Sequence, residues 1–275
     1  MGQTRSVHKI RFGKRTGLLT AFIDNSEIEQ LNPFMLWDHF AVKANHSAIG
    51  LNYHGHSGID TISYPTIGKL NHHDSTGNHD LLLSGDVHIM TTGNGIIHKD
   101  VMTPQNGHAE SFSLWTALPA GTSEMKSAFS RTIKASQLPL LEENNTITKV
   151  IVGNYKGAIS PAHYSNPITY LDIMIAPYDV WHFIPDNNQT TGFVYLQSGC
   201  VYISGSQLHH HQMATLYPSS LPIEIRTGHI AARMFVIVGE PLNQSFFTSA
   251  SSVHSSAQNM SKSTQIIANL MVLKK

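Results

Sequence analysis

The sequence predicts an all-β chain built as two successive blocks of short strands, closed by a short polar tail with helical character. Three observations carry this prediction. Short apolar runs, each ended by Gly, Asn, Asp or Ser, recur at roughly 8–12 residue intervals, the rhythm of sandwiches and barrels rather than of a parallel α/β sheet. The rhythm occupies residues 51–116, lapses, and resumes over 146–238 at similar length, which reads as a duplication of fold with little residue-level similarity. A helical spacing of apolar residues emerges only after Ser256, through Ile266, Ile267, Leu270, Met271 and Leu273.

Composition sets the limits. A chain of 275 residues can bury two ordinary cores without disulfide staples, and Cys200 is the single cysteine, as expected in a reducing, cytoplasmic setting. Eighteen basic side chains balance eighteen acidic ones, so no general electrostatic grip on nucleic acid or an anionic membrane is expected. No apolar run reaches the ~18 residues of a membrane-spanning helix. Met1-Gly2-Gln3-Thr4-Arg5-Ser6 has no secretory apolar core but formally matches a myristoylation pattern. The compositional oddity is 18 histidines, most of them expected on the surface.

In order along the chain, residues 1–30 alternate weakly around Gly13 and Gly17 and predict edge strands or a hairpin. Residues 32–40, Asn-Pro-Phe-Met-Leu-Trp-Asp-His-Phe, read as a buried strand entering a loop. Strands are expected at 59–64, 69–73, 79–83, 87–92, 96–101 and 111–118, with Asp74-Ser75-Thr76-Gly77-Asn78 as a strong turn. Pro119-Ala120-Gly121 ends the block, and 136–145 reads as a loop crossing between domains. In the second block strands are expected at 146–152, 168–175, 181–184, 192–196, 200–203, 212–217, 223–226 and 231–238. After Gly239-Glu240-Pro241-Leu242 the serine-rich 249–252 reads as flexible, with Ser256 a candidate helix cap for 257–273.

The chemistry gathers between Asn52 and Asp100. His54-Gly55-His56 and His98-Lys99-Asp100 each place two ligand-type side chains two residues apart, hence on one face of a strand. Gly93 and Gly95 permit the positive φ of a tight reversal into the second pair. If the two strands neighbour each other, three imidazoles and a carboxylate converge, a donor set suited to iron, nickel, copper or zinc. Other histidines read differently. His72-His73 is expected to be exposed at a strand end. His88 shares a face with Met90 and is a weaker candidate to line the barrel mouth. His209-His210-His211 reads as a solvated turn. Between Trp181 and Gly199 no His-x-His occurs, and Asp186-Asn187-Asn188 stands in its place, so no metal is expected in the second block.

These segments resemble the pirin family. The matching residues are Asn32-Pro33-Phe34 with Asp38-His39-Phe40; His54-Gly55-His56 with Asp60-Thr61; and Asp74-Ser75 with Gly77-Asn78. Ser84-Gly85-Asp86-Val87 leads on through Met90-Thr91, Gly93, Gly95-Ile96 and His98, with Gly239-Glu240-Pro241-Leu242 closing the second half. The resemblance runs from about residue 10 to 245, strong in the first half and thin in the second. It implies a bicupin, two jelly-roll cupin barrels with a short C-terminal tail or helix: a metal-bearing domain over 1–135, a metal-free domain over 136–245 and a tail over 246–275. It also implies one divalent ion held by His54, His56, His98 and Asp100, iron(II) first, with zinc, nickel, copper or manganese as alternatives. Several such proteins oxidise quercetin with dioxygen, and others are described as nuclear cofactors of transcription.

Three departures from the family pattern stand out. Gly55 replaces a proline. Asp60 replaces a glutamate beside the site, and shares the face of His56 only if Ser57-Gly58 carries no bulge. Asp100 replaces the glutamate ligand and is one methylene shorter, so it would bind directly, bind through a water, or draw the ion off centre. Three readings follow. One is an iron-dependent dioxygenase of quercetinase (flavonol 2,4-dioxygenase) type, with His56 and Asp100 as catalytic residues and a small flavonol-like substrate. Another is a regulatory module with a redox or structural metal and a protein partner. The third is a metal-free degenerate bicupin.

Overall fold

The computed structural model describes residues 3–43 and 48–274. Met1 and Gly2 of the acylation pattern lie outside them. The chain is a bicupin: its strands, paired antiparallel, form two compact units, each with two sheets as its main layers.

The unit that carries the histidine pairs spans Arg15–Ala135 and the chain from Leu242 onward. One of its sheets runs, in spatial order, Phe129–Ile133, Val87–Thr91, Ile59–Ile67, His108–Ala117, Phe34–Lys43, Leu19–Ile23 and Lys14–Thr16. The other runs Ile49–Gly50, Ile96–Thr103, Lys69–Asp74 and His79–Leu82, with His54–His56 also paired to Ile96–Thr103. Ile62, Val87, Ile89 and Leu114 are fully buried on one face of the first sheet, where Ile62 pairs with Ile89 and Leu114. Each such side chain contributes roughly 1.5–3 kcal/mol of transfer free energy, which fixes strand register, because a one-residue slip would turn the whole set to the opposite face.

The second unit spans Ser136–Pro241 together with the chain up to Lys14. Its larger sheet runs Val7–Phe12, Gln212–Leu216, Thr191–Ser198, Ala232–Gly239, Ile168–Ile175, Thr146–Val152 and Leu140–Glu143; the smaller runs Val180–Phe183, Ile223–Thr227, Cys200–Ile203 and Ser206–His209. Trp181 and Phe183 pack in its core with Val194, Leu196 and Val236, and the Trp181 ring stacks on Tyr155 at 5.8 Å.

The unit boundaries correct the linear division into 1–135, 136–245 and 246–275. Residues up to Lys14 belong with the second block, and the tail belongs with the first. Val7–Phe12 covers the strand Gln212–Leu216, which would otherwise expose a bare row of backbone donors and acceptors. Arg5, fully buried, fixes that placement by donating to the carbonyl oxygens of Tyr217 (2.9 Å), Gln189 and Thr190. Burial lowers its pKa to about 10. Val7–Phe12 and Leu19–Ile23 therefore join different sheets and do not form a hairpin. In the other direction, the Asn32 side chain holds the start of the tail, donating to Leu242 O (2.7 Å) and accepting from Leu242 N (2.8 Å).

Residues 140–143, expected as loop, form an edge strand on Thr146–Val152. Its residues are mostly exposed, so no apolar alternation betrays it. The C-terminal helix spans Ala257–Val272, and the Ser256 hydroxyl accepts from Asn259 N (3.2 Å), the expected cap. No helix among the described residues is long and apolar enough to cross a membrane.

Candidate metal centre

Strand pairing decides which side chains meet. His54–His56 runs antiparallel to Ile96–Thr103, with His54 opposite His98 and His56 opposite Ile96. His54, His56 and His98 thus share one face. Their ring centroids lie 4.9 Å (His54–His56), 4.3 Å (His54–His98) and 5.0 Å (His56–His98) apart, and one nitrogen from each falls within 4.8 Å of the other two. Gly93 and Gly95 take positive φ of 49° and 145° in the reversal that aims Ile96–Thr103 back at the first pair.

The outer nitrogens are already committed. Nδ1 of His54 donates to Asn52 O and Nδ1 of His56 to Ser251 O, each at 2.9 Å. A carbonyl can only accept, so both rings carry their proton on Nδ1 and present Nε2 as a lone pair. Burial and the neighbouring His98 lower the pKa of His54, and the same causes push His56 down to about 3. Both are neutral, the state that binds metal. His98 is 7% exposed; its Nδ1 lies 3.4 Å from Asp100 Oδ2, and its Nε2 has no hydrogen-bond partner. A buried imidazole whose Nε2 has no partner, beside two oriented lone pairs, fits a borderline divalent cation.

Asp100 occupies a different place from the one the spacing suggests. It lies opposite His72, and its Oδ1 accepts from His72 Nδ1 at 2.7 Å, while Oδ2 is 3.4 Å from His98 Nδ1. His72, His98 and Asp100 form a second ligand-type group, so Asp100 meets the histidine trio through His98. Burial would raise the Asp100 pKa, but hydrogen bonds from His72 and His98 outweigh it and hold the carboxyl well below the usual range.

His72 is the residue the sequence misplaced. Expected to be exposed, it is 1% exposed and sits between two carboxylates, with Nε2 at 3.0 Å from Asp74 Oδ2. Burial acts to lower its pKa, yet the bonds to Asp100 and Asp74 raise it to about 9, so it is an imidazolium. The signal was available: Leu70, His72 and Asp74 share parity, and the apolar Leu70 marks the inward face. His88 lies against His72, ring centroids 3.9 Å apart and planes tilted by 40°, and is pushed down to about 3 by burial and that neighbouring charge. Asp60 leaves the count from His56, because the chain breaks between the two strands at Ser57-Gly58. Its Oδ1 accepts from the Thr91 hydroxyl at 2.5 Å. His209 ends a strand, and His209, His210 and His211 are all exposed.

A cavity of about 330 Å³ opens beside Asp100. Leu18, Phe40, Leu70 and Met102 give it apolar walls, and Ser63 and Ser113 add hydroxyls.

Two jelly-roll blocks, one gathering three imidazoles on neighbouring strands with an apolar cavity beside Asp100, define a bicupin with a candidate metal centre. Residues 15–116 match the family model described as Pirin. It is 27% identical over 231 residues to Pirin-like protein 2 of Arabidopsis thaliana, covering 81% of this chain and 70% of that protein. It is 27% identical to a Pseudomonas aeruginosa protein named as a candidate quercetin 2,3-dioxygenase, over 82% of this chain and 81% of the relative. The solved quercetin 2,3-dioxygenase of Acinetobacter baumannii shares the fold at a TM-score of 0.85 and 22% identity, over 96% of each chain.

Proposed function

We propose that this chain is an iron(II)-dependent dioxygenase of quercetinase type, acting in the cytoplasm on a small flavonol-like phenol. The observation that carries the reading is the grouping of buried His98, whose Nε2 makes no hydrogen bond, with the Nε2 lone pairs of His54 and His56. These three would hold the ion, which, when bound, supplies Lewis acidity toward a substrate hydroxyl and a redox path to dioxygen. The protein's own groups do the rest. Asp100, kept charged by His72, stands on the cavity wall, where its carboxylate would accept a hydrogen bond from the substrate hydroxyl and orient it. With one carboxylate oxygen bonded to His72, Asp100 stands beside the trio, and the oxygen facing His98 would be the one left to help hold an ion. The apolar walls fit a flat aromatic ring and exclude water, and Ser63 and Ser113 offer hydrogen bonds to its substituents. The candidate dioxygenase name of the Pseudomonas aeruginosa relative supports the same substrate class.

The test is metal analysis after anaerobic purification, with oxygen uptake on quercetin. About one equivalent of iron and metal-dependent uptake are expected; less than about a tenth of an equivalent of any transition ion overturns the reading. A full equivalent without uptake removes the dioxygenase assignment and leaves a metal-bearing binding module.

A further inference from the structure

The tail beyond Leu242 falls outside the matched family domain, yet it reaches the metal centre. Three layers of contact bring it there. The innermost is the Ser251 carbonyl, which takes the Nδ1 proton of His56 at 2.9 Å. Next, Ser57, the residue after His56, is held from both sides: its N donates to the Ser252 hydroxyl (3.0 Å), its O accepts from Val253 N (3.2 Å), and its hydroxyl bonds His254 Nε2 (2.9 Å). The outermost is Glu124, 1% exposed, which gathers the tail through His254 Nδ1 (2.8 Å), Ser255 N (2.9 Å), the Ser255 hydroxyl (2.7 Å) and Asn259 Nδ2 (3.1 Å). Behind the ligand strands lies the C-terminal helix. A Cβ on Gly55 would stand 2.3 Å from Ile267 Cγ2, and one on Gly95 3.1 Å from Ile266 Cγ2. Side chains alternate along a strand, so the helix covers the face of His54–His56 opposite the imidazoles. Gly55, where the family carries proline, is what lets Ile267 approach.

We propose that the C-terminal tail is a working part of the metal centre: Ser251 is a positioning residue for His56, and the docking of the tail through Glu124, His254 and Ile267 sets how tightly the centre holds its ion. This rests on the reading that His54, His56 and His98 hold a metal. Partners that orient a ligating imidazole fix its tautomer and raise its basicity, and their loss costs about 10–100-fold in metal affinity. Here that partner is a backbone carbonyl, so it is lost only when the segment moves.

The test uses the full chain and cobalt(II), titrated against a chromophoric chelator, with hydrogen exchange followed over residues 251–272. In Glu124→Gln, tail amides should lose protection, barrel strands should keep theirs, and the cobalt Kd should rise about 10–100-fold. A purely structural tail would loosen without moving the Kd; that result, or a tail still docked in the variant, overturns the proposal. A wild-type chain that takes up no cobalt overturns the metal reading itself, whereas equal binding by wild type and a loosened variant overturns only the role of the tail. Should Glu124→Gln not fold, Gly55→Ala decides: its Cβ displaces Ile267 and should weaken cobalt binding, and adding Ile267→Ala should restore it. Failure of that rescue is equally fatal.

Discussion

Asp74→Asn should unfold the site-bearing unit far more readily than an isosteric change usually does. Asp74 is 1% exposed and accepts from His72 Nε2 (3.0 Å), the Ser130 hydroxyl (2.5 Å), Thr76 N (2.8 Å) and the Thr76 hydroxyl (2.6 Å). An amide presents one acceptor oxygen and sets an NH2 against these donors. It also leaves the His72 imidazolium buried with Asp100 as its remaining counter-charge. Both side chains of the His72–Asp74 pair are essentially sealed from water, at 1% and 0% exposure, so solvent and salt screen them little. Removing one partner of such a pair costs about 3–5 kcal/mol. For a chain of this size that corresponds to a fall of roughly 6–20 °C in Tm, read by calorimetry on metal-free protein. The control is His72→Leu with Asp74→Leu. With both members replaced by apolar groups the His72–Asp74 pair leaves no charge of its own behind, although Asp100 loses its bond from His72, and the double variant should recover part of the loss. A cost under about 1 kcal/mol for Asp74→Asn, or strict additivity in the cycle, refutes the picture of a buried imidazolium between two carboxylates.

Further outcomes follow from the same geometry. His56→Ala should keep its far-ultraviolet spectrum, lose its metal and lose flavonol turnover; full turnover by that variant would sink the mechanism. Ser113→Phe projects a ring into the cavity and should lower kcat/KM on quercetin about tenfold or more with metal content unchanged, measured by oxygen uptake beside elemental analysis. Asp86 carries a pH signature. Burial would raise its pKa, but bonds from Leu83 N, Ala135 N and Lys134 outweigh burial and lower it. A carboxyl whose folded pKa is depressed stabilises the fold above its ordinary value near 4, and that stability is lost as pH falls through the folded value. Urea midpoints between pH 6 and 3 should therefore drop less steeply in Asp86→Asn than in the wild type. Finally, excess chelator should lower the Tm of the loaded protein, by about 2.7 kcal/mol of linkage for a site held at a hundred times its Kd.

The histidine trio was legible because it rests on two local facts, the alternation of a strand and the turn glycines that bring the second strand back. What escaped depends on distant partners. His72 looked like a polar strand end because its two carboxylates come from Asp74 and, across the sheet, Asp100; only the parity with Leu70 hinted at an inward face. Asp100 read as a fourth ligand because spacing places it on the right face without saying which neighbour claims its oxygens. The tail read as flexible because the serine-rich 249–252 carries no apolar pattern, yet Ser251 and Ser252 act through a carbonyl and a hydroxyl. The crossed termini escaped for a similar reason: a strand such as Val7–Phe12 looks the same whichever sheet it joins.

The bond from His56 to Ser251 also has a consequence in time. The two residues are 195 positions apart. At about 5–20 residues per second of synthesis, His56 leaves the ribosome roughly 10–40 s before the carbonyl that orients it. During that interval the whole second barrel is made, while the first can assemble its strands but not finish its centre. An ion met early finds a swivelling imidazole; one met after release finds a fixed lone pair. On the proposed metal reading, tight capture therefore follows the emergence of Ser251 rather than that of the histidines.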